Sequence, residues 1–184
     1  MKDLKIALSV FFVLTVLTGV VYPYAIDLAT RGLFPDQASG SLIRVGDRII
    51  GSRLIGQEFK RRDYFWGRPS AVANQPLPSG GSNASGTSEV LRKQIEDRRK
   101  EGRTGDLLFA SASGVDPDVS PESAFSQVER VAAERKISKE TLDRLVEYGI
   151  EERTWGFLGE RRVNVLRLNL ALDEQSLALR KDPR

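Results

Sequence analysis

The chain has neither cysteine nor histidine among its 184 residues. Without cysteine it can form no disulfide, no thiolate nucleophile and no cysteine-bearing zinc or iron–sulfur centre. Without histidine it has no Ser-His-Asp triad, no imidazole metal ligand and no imidazole general base. Chemistry is left to carboxylates, Ser, Thr, Lys, Arg, Tyr and the backbone. A large surplus of one charge sign is also missing. The 28 Lys+Arg exceed the 25 Asp+Glu by only three, which is weak evidence for a nucleic-acid partner, and none is expected. At this length the expectation is about one domain.

The mean hydropathy of −0.30 suggests an ordinary soluble chain, but the apolar residues are unevenly spread. From Ile6 to Ile26 there are 21 consecutive residues without a charge, bracketed by Lys5 and Asp27. As a helix this run reaches roughly 31 Å, enough to cross a hydrocarbon core of ~30 Å. Tyr22 and Tyr24 stand at its end, where aromatics favour the headgroup layer, and Pro23 ends or kinks the helix there. The rival reading is a cleaved signal peptide. Its apolar region is usually shorter and is followed by small residues, whereas bulky Tyr22-Pro23-Tyr24 precedes Ala25 here. An uncleaved anchor is therefore expected. Residues 1–5 form a cytoplasmic tail, 6–26 the transmembrane helix and 27–41 a juxtamembrane connector. Lys2 and Lys5 before the helix nearly balance Arg31 and Arg44 after it. The very short tail favours the N-terminus inside and the rest of the chain outside the cytoplasm. Thr15, Thr18, Gly19 and Tyr22 share one face at helical spacing. Thr15 and Gly19 form a small-xxx-small pair that lets another helix approach closely. This face is either a docking surface or the incidental surface of a plain anchor.

The remaining residues, 42–184, read as one mixed α+β domain. Leu42–Val45 and Arg48–Ile50 flank Gly46-Asp47, a two-residue hairpin loop, and the second strand continues through Arg53-Leu54-Ile55 past a bulge at Gly51. Tyr64–Ser70 is expected as a loop pinned to the core. Ala71–Ser88 carries no charge and is rich in Ser, Gly, Asn and Pro, the composition of a long loop. Ser88 caps a polar helix to about Glu101, closed by Gly102. Leu107-Leu108-Phe109 predicts a short strand. Ser120-Pro121-Glu122 starts a helix to about Arg135 that buries Ala124, Phe125, Val128, Val131 and Ala132. Ser138 caps a third helix with Leu142, Leu145, Val146 and Ile150 on one side. Arg162–Leu172 alternates and predicts a strand through Val163–Leu168, with a short helix after Asp173.

Few patterns here carry chemistry. Ser79-Gly80-Gly81-Ser82-Asn83 is glycine-rich and can present backbone N–H groups to an anion. No Gly-Lys-Ser/Thr follows it, so it is not a Walker A loop, and a tightly turned loop is the plainer reading. Asp116 and Asp118 are too few for a calcium loop, and Asp116 is expected to fix its own turn. A Ser/Lys hydrolase needs a desolvated lysine, yet Lys60, Lys93, Lys100, Lys136, Lys139 and Lys181 all lie in charge-rich stretches. An anchored extracytoplasmic ligand-binding module is the other alternative.

Seven segments, taken in order, resemble one family. They are Thr18–Pro23, Gly40–Ile43, Gly51–Phe59, Phe65–Ala71, Ser79–Asn83, Ala110–Pro117 and Val163–Asp173. Together they resemble the C subunit of the Kdp potassium-transporting P-type ATPase of bacteria and archaea. The resemblance implies a single-span, non-catalytic subunit of the bacterial cytoplasmic membrane. It implies partnership with a channel-like A subunit that carries potassium and a B subunit that hydrolyses ATP. It further implies a role in stabilising the assembly, and in raising the ATP affinity of the B subunit as a catalytic chaperone. In that role Gln127 takes part, and Ser79–Asn83 is likened to an ABC-type signature. The chain would have no cofactor of its own, with ATP shared with the hydrolysing subunit. An inside N-terminus would place Gln127 and Ser79–Asn83 away from cytoplasmic ATP.

Overall fold

The computed structural model describes residues 2–181, with side chains as far as Ser176. Met1 of the expected tail, residues 182–184 of the expected domain and the Lys181 side chain lie outside the described residues. The chain forms two compact units, Met1–Ile50 and Gly51–Arg184.

The first unit begins with α1, a helix of 32 residues from Lys2 to Leu33, none of it buried. A helix that is apolar all round and covered by nothing in its own chain is long enough and apolar enough to span a bilayer. It outruns the charge-free stretch because Asp27 and Arg31 pair one turn apart at 2.9 Å. Pro23 does not end it. Between Leu17 and Val21 the helix widens into a π turn, and the Tyr22 N–H donates to the Leu17 carbonyl five residues back. The proline explains the widening, because it offers no N–H and its ring crowds the carbonyl of Gly19. After Phe34 a single turn, α2 (Pro35–Ala38), leads to the hairpin of β1 (Leu42–Val45) and β2 (Arg48–Ser52). Gly46 takes φ 59°, as the first loop position requires. β2 stops at Ser52 rather than continuing through Ile55. The Ser52 hydroxyl accepts the Leu54 N–H at 3.1 Å, and this local bond turns the chain out of the ladder.

The second unit contains α3 (Glu89–Lys100), β3 (Asp118–Val119), α4 (Pro121–Phe125), α5 (Val128–Arg135), α6 (Lys139–Tyr148), β4 (Ile150–Glu151), β5 (Arg162–Asn164) and α7 (Val165–Lys181). β5 is the central strand of an antiparallel sheet ordered β3-β5-β4, with Val163 opposite both Val119 and Ile150. The core gathers Phe65, Leu107, Val119, Val128, Val131, Leu142, Val146, Val163, Leu168 and Leu172. Ser120 and Ser138 cap their helices as expected, accepting the N–H groups of Ser123 and Thr141. Ser88 holds the N-cap position of α3 without a side-chain capping bond.

Ile150 is not on the third helix, which ends at Tyr148, but opens β4. Three further expectations fail here. Leu107-Leu108-Phe109 is not a strand. Gly105–Leu108 forms a 3-10 turn with Leu107 and Leu108 buried and Phe109 half exposed. The backbone there is satisfied locally, the Leu107 N–H by Thr104 and the Asp106 N–H by the Ser123 hydroxyl, so no ladder is needed. The helix from Pro121 to Arg135 is broken at Ser126-Gln127, and Phe125 is 39% exposed rather than buried. The Ser123 carbonyl accepts the Ser126 hydroxyl and the Gln127 side-chain amide. The Gln127 N–H turns to Ala124 instead, which interrupts the i→i−4 ladder.

The third failure is the long strand. Only Arg162–Asn164 is extended, and the chain is helical from Val165, nine residues before the expected start. Asn164 is the cap, its side-chain oxygen accepting the Arg167 N–H at 3.2 Å. Val165, Leu168, Asn169 and Leu172 are buried at helical spacing, and Leu, Ala and Arg favour a helix over a strand. The Asn164 amide also donates to the Arg53 carbonyl at 3.0 Å and to Asp118 at 2.9 Å. Asn164→Ala removes the cap and both bonds, and is expected to destabilise the chain by ~2 kcal/mol, measured as the shift in a urea unfolding midpoint.

Candidate functional site

The segment from Arg61 to Trp66 has no regular secondary structure, yet Phe65 and Trp66 are buried. Buried backbone must find hydrogen-bond partners, and two amide side chains supply them. The Phe65 N–H donates to Asn169 Oδ1, and Asn169 Nδ2 donates back to the Phe65 carbonyl, both at 2.9 Å. The Trp66 N–H donates to Gln127 Oε1 at 2.8 Å, and Gln127 Nε2 donates back to the Trp66 carbonyl at 3.1 Å. Each amide thus acts as one residue of a neighbouring strand. Asn169 comes from α7, and Gln127 from the break between α4 and α5 that its own bonds create.

Arginines complete the clamp. Arg130 donates to the carbonyls of Arg62 and Tyr64 and, at 2.7 Å, to Gln127 Oε1. Its guanidinium carbon lies 3.7 Å from the centre of the Trp66 ring, and that of Arg103 lies 4.6 Å away. These are cation–π distances. Burial, with the charges of Arg62 and Arg103, pulls the Arg130 pKa down to about 10, so it stays charged at neutral pH. Arg135 lies over the Tyr64 ring, donates to the Asp63 carbonyl and pairs with Asp173. Burial pushes Asp63 up, but the hydrogen bond from Arg61 and the charge of Arg135 outweigh it and hold the carboxyl below its usual range.

Gln127 therefore has both amide hydrogens and both lone-pair directions of its oxygen engaged, since its second N–H bond goes to the Ser123 carbonyl at 3.2 Å. The Ser79–Asn83 loop lies elsewhere. Gly80 and Gly81 run against the Ala112–Gly114 backbone, while Ser79, Ser82 and Asn83 are exposed. Among the described residues no hydrogen bond joins Gln127 to Ser79–Asn83. In the first unit, Thr18 donates its hydroxyl to the Leu14 carbonyl at 2.7 Å. The π turn adds a residue, which rotates everything beyond it by roughly 100°. Tyr22 is thus turned away from Thr15, while Gly19 stays close to the Thr15 face. A Cβ on Gly19 would meet nothing within 4 Å.

The other segments singled out in the sequence converge on one cluster of loops. The Gly56 N–H donates to the Val115 carbonyl at 2.8 Å. The Ser70 hydroxyl donates to the Gly114 carbonyl at 2.5 Å and accepts from the N–H groups of Val72 and Asn74. The Ser111 N–H bonds the Pro69 carbonyl, and the Val165 N–H bonds the Pro117 carbonyl. Arg68 bridges to Asp116 at 3.1 Å, and Asp116 accepts the Asp118 N–H, fixing its own turn as expected. Beside this cluster a cleft of about 210 Å³ is lined by Lys60, Arg68, Arg98 and Arg103, with Glu58 and Glu101 among them. Burial and the neighbouring Arg103 lower the Arg98 pKa. Lys60, Lys93, Lys100, Lys136 and Lys139 are all exposed, so none is desolvated as a Ser/Lys pair requires. Among the described residues no group of carboxylates could hold a metal ion. The clamp is an arrangement for holding a loop rigid, not for moving protons or electrons.

Asn169 and Arg130 escaped the sequence reading. The available signal was an amide at position i+4 from Val165, inside the apolar stripe of Val165, Leu168 and Leu172.

The chain as a whole is similar to known proteins. The family model for the K+-transporting ATPase, c chain (KdpC), matches residues 4–174. A potassium-transporting ATPase KdpC subunit of Geotalea uraniireducens is 47% identical over 188 residues, covering 96% of this chain and 100% of the relative. One from Polynucleobacter asymbioticus is 44% identical over 183 residues, covering 92% and 97%. One from Variovorax paradoxus is 45% identical over 185 residues, covering 94% and 96%. With these matches along nearly its whole length, the chain belongs to the KdpC family, the c chains of potassium-transporting ATPases.

Proposed function

We propose that this c chain stabilises assembly of its ATPase without catalysing a step itself. The observation that carries the reading is α1, an apolar helix of 32 residues with no part buried by its own chain. In a bilayer such a helix anchors the chain and offers its surface to other spanning helices, and small residues are where they approach. Thr15, Thr18 and Gly19 supply the close-approach face, and Tyr22, expected on it from the sequence, is turned away by the π turn. The α+β unit caps the extracytoplasmic mouth of the potassium-carrying A subunit, and the B subunit hydrolyses ATP.

Gly19→Leu tests the docking face. The glycine has open space around it, so the variant is expected to fold normally and to lose most of its co-purification with the other subunits. Undiminished recovery of the complex would exclude that face. Protease protection in spheroplasts tests the side of the membrane, with cleavage of the α+β unit expected from outside only. Exclusive cleavage from the cytoplasmic side would instead favour the second reading, an increase in ATP affinity of the B subunit. The exposed Ser79, Ser82 and Asn83 leave that loop open to a partner, whereas Gln127 would act through Trp66, whose position it sets.

A further inference from the structure

We infer that the hairpin tip Trp155-Gly156-Phe157 is a protein-docking element that inserts into an apolar socket on another subunit of the same ATPase. The inference rests on the assembly reading above. Between β4 and β5 the chain leaves the sheet and returns, and the ladder resumes at its far end. Thr154 and Leu158 exchange both backbone hydrogen bonds, at 2.9 and 3.0 Å. They close a three-residue loop on which Trp155 is 81% and Phe157 69% exposed. The two rings lie 6.5 Å apart, centre to centre, and the neighbouring Leu158 is exposed as well.

The backbone makes the choice of residue informative. Trp155 sits at φ 54° and Gly156 at φ 81°. The left-handed region suits Gly, Asn and Asp and disfavours a bulky side chain. Tryptophan is therefore a poor residue for the turn itself, and its ring is no part of the core that would compensate. Local strain combined with exposed aromatic surface is the pattern of a contact made with something outside the chain.

The charges around the tip indicate what that is. Arg153 pairs with Glu160 at 3.5 Å, Arg161 with Glu152 at 3.0 Å, and Arg162 with Glu151 at 2.9 Å. Every base from 151 to 162 is thus matched by an acid, and the segment lacks the basic excess that draws a protein to an anionic bilayer surface. A neutral rim around aromatic anchors is what a protein interface uses. The chain belongs to a family of ATPase subunits, so partners that can carry the socket are at hand.

The test uses the full chain co-expressed with the other subunits. The double variant Trp155→Asn with Phe157→Ser keeps a residue that accepts the left-handed turn and removes both rings. Its thermal midpoint is expected to equal or exceed that of the wild type, while retention of the other subunits through detergent dilution falls ~10-fold or more. Phe157→p-benzoylphenylalanine is expected to photo-crosslink to another subunit of the ATPase. Undiminished retention by the double variant, or crosslinks only to lipid, only to a second copy of this chain or to nothing, would overturn the inference. Should deletion of the whole c chain leave the other subunits assembled and active, the assembly reading fails and the tip proposal fails with it. A complex that needs the c chain but ignores the double variant eliminates the tip alone.

Discussion

Gln127→Leu is expected to lower the stability of the full chain by ~3–5 kcal/mol. The leucine fills the space but leaves the buried Trp66 N–H and carbonyl without partners, and removes the acceptor that Arg130 uses at 2.7 Å. Each buried polar group stranded in this way costs about 1–3 kcal/mol. For a chain of this length that corresponds to a fall in thermal midpoint of roughly 10 °C, readable by circular dichroism of the detergent-solubilised protein. Gln127→Glu should be nearly as damaging, since a carboxylate cannot donate to the carbonyls of Trp66 and Ser123. The experiment also separates two roles. A stable Gln127→Leu chain whose complex has altered ATP affinity would show that the residue acts on nucleotide and not as the clamp on Trp66. If stability and ATP affinity fall together, and Asn169→Leu gives the same joint loss, the effect runs through the shape of the loop.

A second large loss is expected at Gly114. This residue stands at φ 74°, and a Cβ there would lie 2.4 Å from the Gly80 carbonyl and 2.7 Å from the Val72 side chain. Gly114→Ala therefore combines the penalty of a left-handed backbone, about 1–2 kcal/mol, with a clash against backbone that cannot swing aside. We expect a total of ~3 kcal/mol or more. Gly80→Ala is the control, because a Cβ at Gly80 meets nothing within 4 Å. A midpoint for Gly80→Ala within the error of the wild type, beside a clear fall for Gly114→Ala, would show that the glycines of this cluster serve close packing. Equal losses at both positions would argue instead that the Ser79–Asn83 backbone needs its own flexibility.

These two sites show where local reasoning about the sequence stops. Gln127 stands out in the sequence only through a family resemblance, and nothing within ten residues of it indicates that its partner is the peptide of Trp66. The break between α4 and α5 follows from that distant contact, so a Ser-Pro-Glu start and a good apolar stripe led to one long helix. At Val163–Leu172 two periodicities overlap, and alternation favoured a strand. Asn164 decides for a helix because its side chain caps the turn while also holding Arg53 and Asp118, partners far away in the chain. In the membrane helix, the face drawn by a 3.6-residue period is rotated at the π turn that Pro23 demands, a local effect that the residue itself announces.

By itself the sequence determined the features that depend on neighbours along the chain. These are a 21-residue charge-free run that must be a helix wherever water is absent, the helix caps at Ser120 and Ser138, the turn at Gly46 and the self-bonded turn at Asp116. The seven ordered segments also pointed to the family. Tertiary structure alone decided how those segments meet. Asn169 and Gln127 reach across more than sixty residues to hold Phe65 and Trp66, and Gly114 seats the Ser79–Asn83 loop. The physical reason is that a buried backbone group accepts any donor or acceptor that geometry delivers, and spacing along the chain does not encode which one will arrive.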